Sequence, residues 1–176
     1  LYEPGPWNGN RIFAYDHSDP MGRKPGNKLL RRYVETRLGN CVTMPMLVTI
    51  LGRRIGLSMT LAVAPFHVFV KFTDEQGREW NLEATSGAGY TRDEWYRQNL
   101  PMTDAAVAKG TYLRALRDEE AAALVVSYRL ERDMAEGRFE EVVEGSDTIL
   151  KYYPGFASGW LYRGSAFAGM LRRDIV

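Results

Sequence analysis

The sequence predicts an α+β protein in two parts, a buried helix packed on an antiparallel sheet and then a helical tail. Three observations predict it. No residue between Val42 and Leu51 is charged, and a helix without a polar face is buried on most sides. The stretches Met59–Val63, Phe66–Thr73 and Arg78–Glu83 then change to strand composition, with Asp74-Glu75-Gln76-Gly77 as the hairpin turn between the last two. From Asp118 onward the apolar residues return to helical spacing.

A length of 176 residues suits one domain with an appendage. The divisions expected are an N-terminal arm over 1–26, a core over 27–116 and a helical tail over 117–176. Lys and Arg number 23 against 22 Asp and Glu, a net charge of +1. That balance supplies no basic stripe for nucleic acid. No apolar run approaches the roughly 20 residues of a membrane span. The single cysteine cannot form an internal disulfide, which suits a cytoplasmic or a periplasmic setting. The chain opens on Leu1 rather than Met, so residues are expected in front of it.

In the arm, Tyr2, Pro4, Trp7, Phe13 and Tyr15 stand among turn formers such as Asp19-Pro20. An ordered arm without regular structure is expected, its aromatics packing on the core. His17 reads as a solvated loop histidine. Asn27 is placed to cap a helix over Lys28–Leu38, which Gly39 stops. The next helix starts beside Cys41. Pro45 has no N–H and belongs in a first turn, so the start falls near Val42 and leaves Cys41 at the helix mouth. Arg53 and Arg54 suit the far end and Gly56 its stop.

A hairpin turn centred on Glu75 brings His67 opposite Glu83, and a slip of one residue would send Glu83 to the other face. After Thr85, Ser86–Gly89 reads as a loop. Thr91 and Glu94 read as a capping box for a helix through Gln98, and Thr103–Lys109 as a further helical turn. Thr111–Leu116 stays open between strand and loop. In the tail, one helix is expected to about Ala135, a turn at Gly137, a second helix over Phe139–Tyr153, and a third containing Trp160, Leu161 and Phe167. The positions of Gly137, Phe139 and Pro154 resemble a tetratricopeptide repeat. A second copy would break off at Val176, so truncation is expected there, with Trp160, Leu161 and Phe167 left partly uncovered.

Cys41, His67 and Glu83 form the constellation that could carry chemistry. A thiolate is the nucleophile in cysteine chemistry, and a helix N-terminus favours an anion. An imidazole partner would exchange the proton, and a carboxylate behind it would fix its tautomer. The Cys41 backbone N–H would donate to an oxyanion, with Asn40 as a second donor. Each residue also has a plain structural reading: a small buried hydrophobe, a core histidine, a strand-end charge. The three could also ligate zinc, although no CxxC or HxxxH spacing accompanies them.

The order of GNC at a helix start, FHVFV on a strand and then WNLEAT resembles the transglutaminase-like superfamily, whose fold is related to papain-type thiol enzymes. It is similar in particular to the bacterial transglutaminase-like core group with tetratricopeptide repeats. The resemblance implies a Cys-His-acid triad, carried by Cys41 as nucleophile, His67 as base and acid, and Glu83 as orienter. The superfamily more often has Asp third, in a DPT-like motif where this chain has Glu83-Ala84-Thr85. The activity implied is thiol-dependent acyl transfer on an amide or peptide, with a hydrolase or a transamidase as outcome. It requires no cofactor and no metal. The alternative is a non-catalytic module whose helical tail binds a protein partner.

Overall fold

The computed structural model of the chain describes residues 1–87 and 89–175, which divide into two compact units, Leu1–Leu116 and Arg117–Val176. Ala88, read from the sequence as part of a loop, and Val176, the expected point of truncation, lie outside the described residues.

The first unit begins with an arm whose Ala14–Tyr15 (β1) pairs in parallel with Leu38–Gly39 (β2). Tyr2, Phe13 and Tyr15 of the arm pack on Tyr33, Met44, Leu47 and Ala84. The arm is therefore more regular than its composition suggests, and it forms part of this unit. Helix α1 covers Leu30–Thr36, shorter than the expected Lys28–Leu38. Arg37 takes a left-handed conformation (φ 62°) and swings Leu38 out of the helix into β2. Asn27 does not cap this helix. Its side chain is buried and joins Asp19 (2.8 Å) to Arg32 (2.6 Å).

Helix α2, Thr43–Arg54, starts where Pro45 predicts and ends on Ile55 and a left-handed Gly56. Seven of its residues are buried, as its lack of charge requires. It packs on β3 (Ser58–Ala64) and β4 (His67–Thr73). These strands continue into an antiparallel sheet ordered β3-β4-β5-β6, with β5 over Glu79–Glu83 and β6 over Gly89–Thr91. The last strand was not expected: Thr91 lies in it, and the helix that follows is capped at Arg92 without the Thr91–Glu94 box.

The β4–β5 hairpin turns on Gln76 rather than Glu75. Thr73 pairs with Glu79, the Asp74 N–H bonds to the Arg78 carbonyl (3.0 Å), and Gly77 at φ 76° closes the three-residue loop between them, a geometry that favours glycine. Pairing is thereby displaced by two residues from the expected register. A displacement of two keeps each side chain on its face.

On the face that carries His67, Ala62, Ala64 and Phe69 pack against Tyr96 and Leu113. Tyr96 belongs to α3, Asp93–Asn99, which α4, Asp104–Ala108, follows. Asp93 binds Asn81 (2.7 Å) and Lys71 (3.5 Å), which fixes α3 to the sheet. The Thr111–Leu116 stretch forms no strand but bonds to β3 through Leu113 N–H to Val63 (3.0 Å) and Leu116 N–H to Leu61 (2.9 Å).

The second unit consists of α5 (Asp118–Ala135), α6 (Phe139–Tyr152) and α7 (Ala157–Ile175). Ala123, Leu130, Val142, Ile149 and Ala166 form its core. Trp160, Leu161 and Phe167 on α7 are 55%, 68% and 46% exposed. Among the described residues no helix is long and apolar enough to cross a membrane.

Candidate functional site

The geometry around Cys41 starts with Gly39. A Cβ there would stand 2.5 Å from the Tyr33 ring and 2.8 Å from Thr43 Oγ1, so only glycine lets the chain pass this closely. Asn40 follows and is buried to 2% exposure. Its Oδ1 accepts from the N–H groups of Val42 (3.0 Å) and Thr43 (3.2 Å), and its Nδ2 donates to the Asn27 carbonyl (3.1 Å). Thr43 Oγ1 in turn accepts from the Asn40 N–H (3.1 Å). Both ends of the Asn40 amide, named from the sequence as a second oxyanion donor, are engaged inside the protein, and its Oδ1 satisfies the first donors of α2. The turn so formed presents the half-exposed Cys41 at the mouth of α2. Its thiol faces the Phe66 carbonyl, with Sγ and O 3.8 Å apart.

His67 opens β4 and Glu83 closes β5. The imidazole Nε2 lies 2.7 Å from Glu83 Oε2, and the ring lines the same pocket as Cys41. With Nε2 on the carboxylate, Nδ1 is the nitrogen left for the thiol. Burial by itself would depress the His67 pKa; hydrogen bonds to Cys41 and Glu83, with their charges, outweigh it and push the value up to about 9. The ring stacks with Phe69 at 6.4 Å between centroids and lies tilted to Tyr96 at 5.9 Å.

Glu83 is buried and fully engaged. Oε2 accepts from Tyr96 Oη (3.0 Å) besides His67, and Oε1 accepts from Thr85 Oγ1 (2.7 Å) and Thr85 N–H (3.2 Å). Burial alone would raise its pKa, but the bonds to His67 and Thr85 hold it below the ordinary carboxylate value. The Tyr96 phenol shifts upward, through burial first and then the Glu83 charge. Each side chain of the set is thus held by groups that orient it.

Cys41 and His67 open on a pocket of about 400 Å³ that Tyr15, His17, Pro20, Phe66 and Thr85 also line. The sequence reading missed these walls. His17 is indeed solvent-exposed, but it stands at this pocket, its ring 5.3 Å from that of Tyr15. Tyr15 in turn is held by a bond from its hydroxyl to the Pro20 carbonyl (2.7 Å). Phe66, expected in a strand, sits in the turn before β4. Tyr96 carried no local signal beyond helix periodicity, whereas Thr85 lay within the quoted WNLEAT stretch. Among the described residues, no group of three or more His, Cys, Asp or Glu side chains is arranged to hold a metal ion.

A buried helix packed on an antiparallel sheet, with further helices around it, makes the first unit a mixed α/β fold. A model of the transglutaminase-like superfamily matches residues 13–123, and the chain belongs to that superfamily. The match takes in Cys41, His67, Glu83 and the arm from Phe13. No curated protein and no solved structure matches the chain.

Proposed function

We infer that the first unit catalyses thiol-dependent acyl transfer from an amide or peptide, with Cys41, His67 and Glu83 as a triad. The observation that carries this reading is the His67 imidazole, 2.7 Å from Glu83 and lining the same open pocket as Cys41. With its pKa pushed up to about 9, His67 is an imidazolium at neutral pH, the kind of charge that a thiol nucleophile needs beside it.

Cys41 Sγ attacks the substrate carbonyl carbon, forming the C–S bond while the carbonyl electrons move to oxygen. The Cys41 backbone N–H, at the mouth of α2, donates to that oxyanion. As the oxyanion collapses the C–N bond breaks, and His67 delivers its proton to the leaving amine. A thioester remains. Water or a second amine then attacks it, losing a proton to the neutral imidazole, and the C–S bond breaks to restore the thiolate–imidazolium pair. Water makes the enzyme a protease or amidase and an amine makes it a transamidase. Glu83 keeps the imidazole in one tautomer and stabilises its charged form.

The test is acylation by p-nitrophenyl acetate, with the acetylated residue mapped by mass spectrometry. The acetyl group is expected on Cys41, absent in Cys41→Ala and slowed at least about a hundredfold in His67→Ala. Equal acetylation of Cys41 in the wild type and in His67→Ala would sink the triad.

A second reading concerns the second unit, whose three helices we take to be tetratricopeptide-like and to bind a protein partner. What supports it is the exposure of Trp160, Leu161 and Phe167 on α7. In this reading the first unit is inert, and no version of the chain acylates.

A further inference from the structure

Ala64 pairs with His67 across a two-residue loop, Pro65–Phe66. Phe66 holds φ at 59°, in the left-handed region where a side chain crowds its own backbone and glycine is the ordinary occupant. The residue is 85% exposed, so the fold gains almost nothing from burying it. Strain without compensating burial, held at the residue next to the site histidine, points to a role outside the fold. Two further observations say where that role lies. The Phe66 carbonyl faces the Cys41 thiol at 3.8 Å, and Phe66 lines the pocket onto which Cys41 and His67 open.

We propose that Phe66 is a specificity-determining residue, whose ring receives an aromatic or branched apolar side chain carried by the acyl donor beside the carbonyl that Cys41 attacks. The proposal rests on the acyl-transfer reading and adds the class of donor. An exposed aromatic face offers an apolar group contact area with little loss of conformational freedom, since a phenylalanine has only two rotatable side-chain bonds. An apolar donor side chain gains from leaving water for the ring without giving up any hydration of a charge. Because the backbone that carries the ring also faces the thiol, a donor seated on the ring has its carbonyl brought to Cys41. Such a contact forms with substrate and is absent from the free protein, which accounts for the exposure.

The experiment compares two thiol-directed probes, acetyl-phenylalanyl and acetyl-glycyl acyloxymethyl ketones, on the full chain. Second-order rates of Cys41 labelling are measured in wild type, Phe66→Ala and Phe66→Gly. The wild type is expected to take the phenylalanyl probe about tenfold faster than the glycyl probe, as apolar contacts of this size discriminate. In both variants that ratio should collapse to about two or less, through loss of the phenylalanyl rate. Phe66→Gly should at the same time raise the melting temperature, because glycine occupies the left-handed region without strain. An unchanged ratio in Phe66→Ala overturns this proposal and leaves the triad standing. A fall in melting temperature in Phe66→Gly also overturns it, by making Phe66 a support of the fold. Failure of both probes to label Cys41 in a folded wild type overturns the acyl-transfer reading and this one with it.

Discussion

His67 Nε2 and Glu83 Oε2 lie 2.7 Å apart, although the two residues are not partners across the sheet. Val70 pairs with Leu82. Continuing that register sets Glu83 opposite Phe69, two residues along β4 from His67. The contact is therefore a diagonal one, over the roughly 7–8 Å that separates such neighbours and that only a long side chain spans. Glutamate has the length for it, and its other bonds, from Tyr96 and Thr85, hold it stretched in that direction.

Shortening this side chain should therefore cost more than its chemistry suggests. In Glu83→Asp the charge is kept, but the carboxylate cannot reach His67 and Tyr96 together. Acylation of Cys41 should slow by about a hundredfold, the usual effect of an ångström of misplacement. Glu83→Gln keeps the reach and loses the charge, so the His67 pKa should fall well below about 9, read by the NMR titration of its ring protons. Full activity in Glu83→Asp would show that the diagonal geometry carries no weight.

The same pair sets a stability dependence on pH, and its sign follows from the two shifts. The His67 pKa rises from 6.5 to about 9 on folding, so its contribution is fully present below about 6.5 and is lost as pH climbs through about 9. The Glu83 pKa is lowered from 4.5, so its contribution is present above about 4.5 and is lost as pH falls through the folded value. Both describe one interaction seen from its two ends. The difference in melting temperature between wild type and Glu83→Gln should be largest near pH 5–6.5 and shrink toward pH 10. A difference that stays flat between pH 6 and 10 would contradict the raised His67 value.

How much of this was legible in the sequence differs from residue to residue. Pro45 and the uncharged run after it mark the start of α2, because an imino acid and a missing polar face have local consequences. The face shared by His67 and Glu83 is legible because strand alternation survives a register error of two. The error itself comes from Gly77, whose left-handed backbone closes a three-residue loop where a different turn fitted the composition equally well. Strand β6 hides in a glycine-rich stretch, since a three-residue edge strand has too few side chains to show a period. Tyr15, His17 and Tyr96 reach the site from distant parts of the chain. Nothing in their own neighbourhoods records what they will touch.

Gly39 makes a prediction on packing. A methyl group added there would press into the Tyr33 ring and Thr43 Oγ1, neither of which is free to withdraw from the core. Gly39→Ala should destabilise the chain by about 1–3 kcal/mol, the usual cost of an overpacked core, in urea denaturation. Cys41 should lose its alkylation rate in parallel, since the displaced turn carries the thiol. An unchanged denaturation midpoint would mean that the turn gives way without strain.

Asn40 offers the last prediction, because two roles for it forecast opposite results. As an oxyanion donor it would act only while charge develops on the substrate. Its removal would then slow acylation by about 10²–10³-fold and leave the resting protein as stable as before. The geometry gives it other duties: it accepts from Val42 and Thr43, donates to Asn27, and is buried among them. Asn40→Ala should therefore lower stability by about 1–3 kcal/mol, combining a lost helix cap with a buried carbonyl left without its donor. Asn40→Ser can still cap α2, although its hydroxyl is too short to keep the bond to Asn27, so its stability should fall between wild type and Ala. In both variants the acylation rate of the folded fraction should drop by less than about tenfold. A stable Asn40→Ala protein with acylation reduced a hundredfold would return Asn40 to the oxyanion.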